Sequence, residues 1–368
     1  MTEPQRDILI HVVPSARWGG VEQYALDICR HYHALGWDVS AVTRDAKAVD
    51  SHFMAYGIPL RHALFGGYSD MGSIWQMART FRTMPRDRVV VHVHRYRDAF
   101  TVLAARKIVN RPDIRLVSTR HTVAPGRDTP LFRRMCRNVD ADIFVSRTAL
   151  EAFASPWTRK RSPLPEERVH VVYNGLFLDD KPLMAEPQRG PVTAICQGPI
   201  VEGKGFETVI DALAMLKQRN VKLRLRIAGY GNPDYIDDLR RRAITRGIME
   251  QIDWIIPAGD IYLLIGESHF GVQASARREA FGLESLRCMA CGRAQVCVPN
   301  GAQSEYLAEG VTAVFAPPND SSKLADAMML LAQNHELRDA LGTNARAYYE
   351  RNLNWEHFIS RMDKIYNP

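Results

Sequence analysis

The chain has 368 residues, 46% apolar and 24% charged, with 48 Lys and Arg against 41 Asp and Glu for a net charge of +7. That length suits two ordinary domains rather than one, and the composition is globular, which excludes disordered and fibrous classes. No apolar run approaches the roughly 20 residues that span a bilayer, and the polar start runs straight into an apolar segment with no signal-peptide core, so a cytoplasmic protein is expected.

Residues 8–13 read as a strand buried on both faces. The loop Pro14-Ser15-Ala16-Arg17-Trp18-Gly19 follows, then a helix with Val21, Tyr24, Ala25, Ile28, Tyr32 and Leu35 on one face and Gly36 at its C-cap. Further strands are expected at 37–43, 89–93, 114–119, 143–146 and 170–173, the last closed by the turn Asn174-Gly175. Residues 176–190, with Asp179-Asp180, Pro182, Pro187 and Arg189-Gly190, read as a linker between domains. The alternation then restarts, with strands at 192–197, 223–228, 252–256, 270–274, 295–298 and 313–315 and a helix over 206–216 among those between them. An amphipathic tail over 355–366 has no strand after it. Two runs of alternating β and α imply two doubly wound parallel-sheet α/β domains, with ligands beyond the carboxyl ends of the strands. Two such domains facing one another would make an interdomain cleft.

The charge is uneven. Residues 1–185 hold 27 basic and 19 acidic side chains, and residues 79–137 alone hold 15 basic and 4 acidic. An anionic membrane surface, a nucleic acid and an acidic substrate are three partners for such a region, and a solvated Arg-rich face is the fourth reading. Nucleic acid ranks last, because no aromatics interleave the basic residues at an RNA-binding spacing. Of six cysteines only Cys288 and Cys291 have C-x-x-C spacing, and they sit in an apolar helical pattern that points to core thiols rather than a zinc or redox site.

The candidate chemistry sits just after strands. Gly19-Gly20 precedes a helix, where a ligand can approach the backbone and an anion is favoured, although the loop is no dinucleotide fingerprint. His121 ends a strand, as do His92 and His94, and a His there can meet a sugar hydroxyl or a developing charge. Lys204 lies between Gly203 and Gly205 at a helix start, a geometry suited to phosphate. Gly229-Tyr230-Gly231 reads as a glycine turn able to admit a nucleobase. Glu279-Ala280-Phe281-Gly282-Leu283 sets a carboxylate beside free N–H groups of a helix start, a site for hydroxyls and an anion together.

These motifs, in this order over about 340 residues, resemble the GT-B glycosyltransferases, most closely the retaining family 4 group. The matching pieces are Gly19-Gly20-Val21-Glu22, Arg120-His121-Thr122, Val172-Tyr173-Asn174-Gly175, Glu202-Gly203-Lys204-Gly205-Phe206 and Ala228-Gly229-Tyr230-Gly231. The segment from Glu279, Met289-Ala290-Cys291-Gly292 and Gly301-Ala302-Gln303-Ser304-Glu305, with Gly310-Val311-Thr312 and Pro317-Pro318-Asn319-Asp320, complete them. The resemblance implies a GT-B fold of two Rossmann-like domains. Residues 1–185 would be the basic acceptor side, 186–350 the donor side, and 351–368 a helix crossing back to the N-terminal domain with Trp355 as its anchor.

It also implies roles. Gly19 and Gly20 would approach the donor phosphate or the acceptor, and His121 the reacting centre of the sugar. Lys204 would neutralise the diphosphate, Gly229 and Gly231 would lie near the base with Ile255 and Ile256, and Glu279 would bind donor-sugar hydroxyls. The amides of Phe281, Gly282 and Leu283 would hold sugar and phosphate, with Glu305 a weaker contact. No carboxylate pair is laid out for double displacement, and no metal or other cofactor is expected. The expected function is a retaining, metal-independent transfer from a nucleotide sugar to a cell-envelope glycan or lipid-linked acceptor. It would occur in the cytoplasm or at the inner face of the membrane.

Two positions depart from the family. Pro199 stands where a second phosphate-binding Arg is usual, and Arg287 where a Glu holds the ribose. A guanidinium accepts no hydrogen bond from a ribose hydroxyl, but Arg287 could supply charge to the diphosphate. Glu284 could accept instead, about 60° away on the helix. The departures motivate a second reading, a catalytically reduced GT-B protein acting as partner or scaffold. A sugar-nucleotide epimerase of the same fold fits the Glu279 segment poorly.

Overall fold

The computed structural model describes residues 7–67, 70–85, 88–158, 162–178 and 190–368. The chain divides into two compact units, the first running to Tyr173 and taking in Phe358–Pro368, the second Asn174–His357. The expected boundary at 185/186 lies outside the described residues.

The first unit is built on seven strands: β1 (Ile8–Val12), β2 (Asp38–Thr43), β3 (Leu60–His62), β4 (Val89–Val93), β5 (Arg115–Arg120), β6 (Ala141–Phe144) and β7 (Val169–Val171). All pair in parallel, in the order β3-β2-β1-β4-β5-β6-β7. Every residue of β1 and β4 is buried, which is why both are apolar runs broken only by histidine. The second unit holds β8 (Thr193–Ile200), β9 (Arg224–Gly231), β10 (Ile252–Ile255), β11 (Phe270–Gln273), β12 (Ala294–Cys297) and β13 (Val314–Phe315). These too are parallel, in the order β10-β9-β8-β11-β12-β13. Its core packs Phe206, Val209 and Leu213 of the helix Phe206–Gln218 with Ile227, Phe270 and Val296 of the sheet. In each sheet the strand order reverses at one place, between β1 and β4 and between β8 and β11. Such switch points open a crevice beyond the strand ends.

Four expectations are corrected. β3, a three-residue edge strand with two exposed positions, has no sequence signal of its own. β6 ends at Phe144 because Ser146 leaves the sheet to cap the helix Arg147–Ala154, its hydroxyl accepting from the Ala149 N–H at 3.0 Å. Gly229 and Gly231 lie inside β9 rather than in a turn, because β8 and β9 stay paired as far as Ile200 and Gly231. A Cβ on Gly229 would overlap the Gly198 carbonyl oxygen, and one on Gly231 that of Ile200, so both glycines serve strand pairing.

The fourth concerns the tail. The helix Trp355–Tyr366 buries Phe358, Ile359, Met362, Ile365 and Tyr366. Within the first unit the Tyr32 hydroxyl donates to Asp363 at 2.6 Å, and Arg115 Nε to the Ile365 carbonyl at 2.8 Å. Trp355 meets Phe177 of the second unit, ring centroids 4.8 Å apart, and the part of the tail that belongs to the first unit begins at Phe358.

Candidate active site

In the second unit the loops after β8 and β11 meet at the switch point. The turn after β8 brings Lys204 to the start of the helix Phe206–Gln218. Gly205 makes this possible: its φ is +83°, and a Cβ there would overlap the Ala274 carbonyl at the end of β11. From the other side, the Glu279 N–H donates to the Asn300 carbonyl at 2.8 Å, and its carbonyl accepts from Ala302 at 3.0 Å. Backbone bonds on both sides thus fix where the Glu279 side chain starts. Lys204 Nζ lies 2.9 Å from Glu279 Oε1 and 3.1 Å from Glu284 Oε1, and all three side chains are largely buried.

Burial works against the Lys204 ammonium, but the Glu284 and Glu279 carboxylates outweigh it and raise its pKa. Burial likewise favours a neutral Glu284, and Lys204 with Arg287 overturns that and lowers its pKa. The cluster is therefore one cation between two anions, ready to exchange a carboxylate for a ligand charge.

The helix Leu283–Ala290 starts beside this cluster, after Phe281 and Gly282, and the Tyr306 hydroxyl donates to the Phe281 carbonyl at 2.7 Å to hold the turn. Its first-turn amides are anion donors. Gln197 ties the helix to β8, donating to the Glu284 carbonyl at 2.9 Å and accepting from Arg287 at 3.3 Å. Glu284 and Arg287 are not parted by their helical offset, since Arg287 helps keep Glu284 ionised. Ile255 ends β10 and Ile256 follows it, while Glu305 closes the short helical turn Ala302–Glu305.

Several residues here escaped the sequence reading. Ser275 and Gln303 line the cavity between Lys204, Glu279 and Glu284. Arg277 is exposed, and its side chain lies across Gly203, next to Lys204. Its place just before Glu279 was the available signal, but only the fold lays it over the β8 loop. Cys288 and Cys291 are free and buried, and burial pushes the Cys291 thiol up to about 12.

In the first unit, Gly19 is extended and precedes the helix Gly20–Ala34 at the end of β1. His121 follows β5 and belongs to a chain of imidazoles. His94 Nδ1 is 3.1 Å from His121 Nε2, and His94 Nε2 is 2.9 Å from His11 Nδ1. His92, the register partner of His11, sits between the Tyr366 hydroxyl at 2.6 Å and Thr119 Oγ1 at 2.7 Å. Burial, with Arg120 as a second cause, lowers the His121 pKa to about 3. Burial alone does the same for His11. Ring nitrogens 2.9 Å apart share a proton; ligands about 2.1 Å from one tetrahedral metal would stand farther apart. A cavity of about 720 Å³ opens beside His94 and His121.

The Glycosyltransferase Family 4 profile matches residues 18–180, and the Glycosyl transferases group 1 profile matches residues 185–348. The chain is a family 4-like glycosyltransferase of the GT-B fold. The enzyme is 24% identical to a D-inositol 3-phosphate glycosyltransferase of Jonesia denitrificans over 98% of its own length and 94% of the relative's. It is 23% identical to a GDP-mannose-dependent phosphatidylinositol monomannoside mannosyltransferase of Corynebacterium glutamicum, covering 96% and 89% of the two chains. Its fold matches Anabaena HepE in complex with UDP and glucose at a TM-score of 0.80, with 17% identity over 98% and 99% of the chains. Membership of this transferase family does not favour the reduced-scaffold reading. No helix among its described residues is long and apolar enough to cross a membrane.

Proposed function

We propose that this glycosyltransferase moves its sugar with retention and without a metal, from a nucleoside diphosphate sugar to a cell-envelope glycan or lipid-linked acceptor. The observation that carries the reading is Lys204 kept charged between Glu279 and Glu284 at the β8/β11 switch point. Departure of the diphosphate builds negative charge on phosphate and positive charge on the anomeric carbon. A site preorganised for that change needs cations and N–H groups on the leaving side and an acceptor for sugar hydroxyls on the other. Lys204, Arg277, Arg287 and the first turn of Leu283–Ala290 supply the former; Glu279, released from Lys204, supplies the latter. Glu284 takes the hydroxyl-accepting role that Arg287 cannot fill. His121 is assigned to the sugar's reacting centre.

Calorimetry with UDP, GDP and their sugars tests the donor site. Tight binding that Glu279→Ala weakens supports it, and binding of none of these contradicts it. Product NMR reads the anomeric configuration, with inversion counting against retention, and loss of turnover in EDTA would count against metal independence. Attachment to an anionic membrane is part of the proposal. The groove beside Phe100, Leu103 and the exposed Leu131 also carries Lys107 and Arg134, pairing apolar and cationic groups. Binding to phosphatidylglycerol vesicles should fall as salt rises, and salt-insensitive or absent binding rejects it.

A further inference from the structure

Four of the fifteen basic residues between positions 79 and 137 converge on the 720 Å³ cavity of the first unit. Arg95, Arg97, Arg120 and Arg127 line it, and no Asp or Glu does among the described residues. Other basic residues of that stretch are spent on the fold. Arg106 pairs with Asp140 at 2.6 Å, and Arg111 donates to the carbonyls of Phe81, Met84 and Pro85. The solvated-face reading of the charge does not cover the cavity, because four guanidinium groups line one half-open concavity rather than spreading over a flat surface.

Three features tune that space for an anion. The cavity lies where β4 ends, at the switch point of its sheet, and Tyr96, first residue of the 13-residue helix Tyr96–Ile108, lines it. The positive end of that helix therefore lies at the wall. Arg120 is stacked over the rings of Tyr96 and Phe153, 3.3 and 4.1 Å from their centroids, which fixes its plane. The acids nearby are occupied or partly neutralised. Asp98 accepts from Arg95 Nε at 2.8 Å and lies 3.7 Å from Arg97 Nε. Asp70 caps the helix Met71–Thr83 and accepts from the Gly66 N–H at 2.7 Å. Burial pushes the Asp142 carboxyl up to about 7, leaving it about half charged at neutrality.

We infer that this cavity seats a phosphate group of the acceptor, so that the sugar is transferred to a phosphate-bearing molecule. The inference rests on the glycosyltransferase reading, since His121 of the proposed reacting centre lines the same cavity. A carboxylate would occupy one guanidinium fork. With Arg95 forked onto Asp98, the guanidinium groups of Arg97, Arg120 and Arg127 around a helix N-terminus match the extra charge and the third oxygen of a phosphate.

The test is calorimetry on the full chain with glycerol 3-phosphate and farnesyl diphosphate as probes, and glycerol and acetate as controls. A Lys204→Met background removes the principal donor-phosphate cation. Binding of either probe there, with neither control binding, is expected. The double change Arg97→Gln with Arg127→Gln, at two exposed positions, should weaken it about tenfold or more. Preference for glycerol 3-phosphate points to a soluble phosphorylated acceptor, and preference for farnesyl diphosphate to a lipid-borne one. Probe binding that disappears with Lys204→Met but survives the double arginine change overturns the inference, as does binding of neither probe. A chain that still binds a nucleotide sugar in those cases has lost this inference alone.

Discussion

Lys204 is the residue on which the donor site turns, because among the described residues it is the only cation in contact with both Glu279 and Glu284. Lys204→Met keeps the apolar stem and removes the charge. It leaves Glu279 and Glu284 facing each other unneutralised, so both stability and donor binding should suffer. A hydrogen bond to a charged group contributes about 1.5–3 kcal/mol, which places the loss of nucleoside diphosphate affinity between about tenfold and a hundredfold. Unchanged affinity by calorimetry would remove Lys204 from the leaving-group role. Arg277 makes a complementary case. It lies beside Lys204 while Pro199 occupies the position of the missing arginine. Arg277→Gln should cost about tenfold in donor affinity without lowering the thermal midpoint, since the side chain is exposed. A matched loss of stability and affinity would mark it as structural.

At the scale of the strands, the ends of β1, β4 and β5 put His11, His92, His94 and His121 together. His11 Nε2 is buried without a partner. An orphaned N–H is rarer in folded proteins than an under-used acceptor. The donors should therefore run from His11 Nδ1 to His94 Nε2 and from His94 Nδ1 to His121 Nε2, leaving His121 protonated on Nδ1. Imidazole ¹⁵N shifts will report this, and a His121 protonated on Nε2 would reverse the assignment. The same burial makes the enzyme acid-sensitive. A base whose folded pKa lies below its unfolded value binds protons more readily when unfolded, so stability falls as pH drops below about 6.5. For His11, held at about 3, that amounts to about 2 kcal/mol by pH 5, with the other three acting in the same direction. Urea titrations at pH 7.5 and 5 should separate, and His11→Gln should narrow the gap.

The sequence revealed the strands of this cluster but not the cluster. Continuous apolar runs made β1 and β4 legible, because strands buried on both faces leave no polar alternation to misread. That His11 and His92 are register partners was invisible, because register is settled by pairing across the 80 residues of chain between them and not by either strand alone. The donor site was legible where one motif held the chemistry, as with Lys204 and Glu279. It was opaque where two loops combine, as when Arg277 crosses Gly203. Gly229 and Gly231 misled for a physical reason, since a glycine demanded by close strand pairing looks the same in sequence as one demanded by a turn.

For the molecule as a whole, the first unit is completed by the last residues of the chain. Five apolar side chains from Phe358 to Tyr366 are buried there, each worth about 1.5–3 kcal/mol, or on the order of 10 kcal/mol together as an upper estimate. That equals the entire stability of a typical domain. A chain ending at His357 should therefore lose the first unit. Limited proteolysis is expected to cut freely between residues 7 and 173 while sparing 190–357, and the cavity's phosphate probes should no longer bind. Tyr366→Phe separates packing from bonding: it removes only the hydroxyl that meets His92, at a cost of about 1 kcal/mol. The first unit should stay folded and the His92 imidazole shifts should move. If the truncated chain resisted protease throughout, the tail would be an accessory to the first unit and not part of its core.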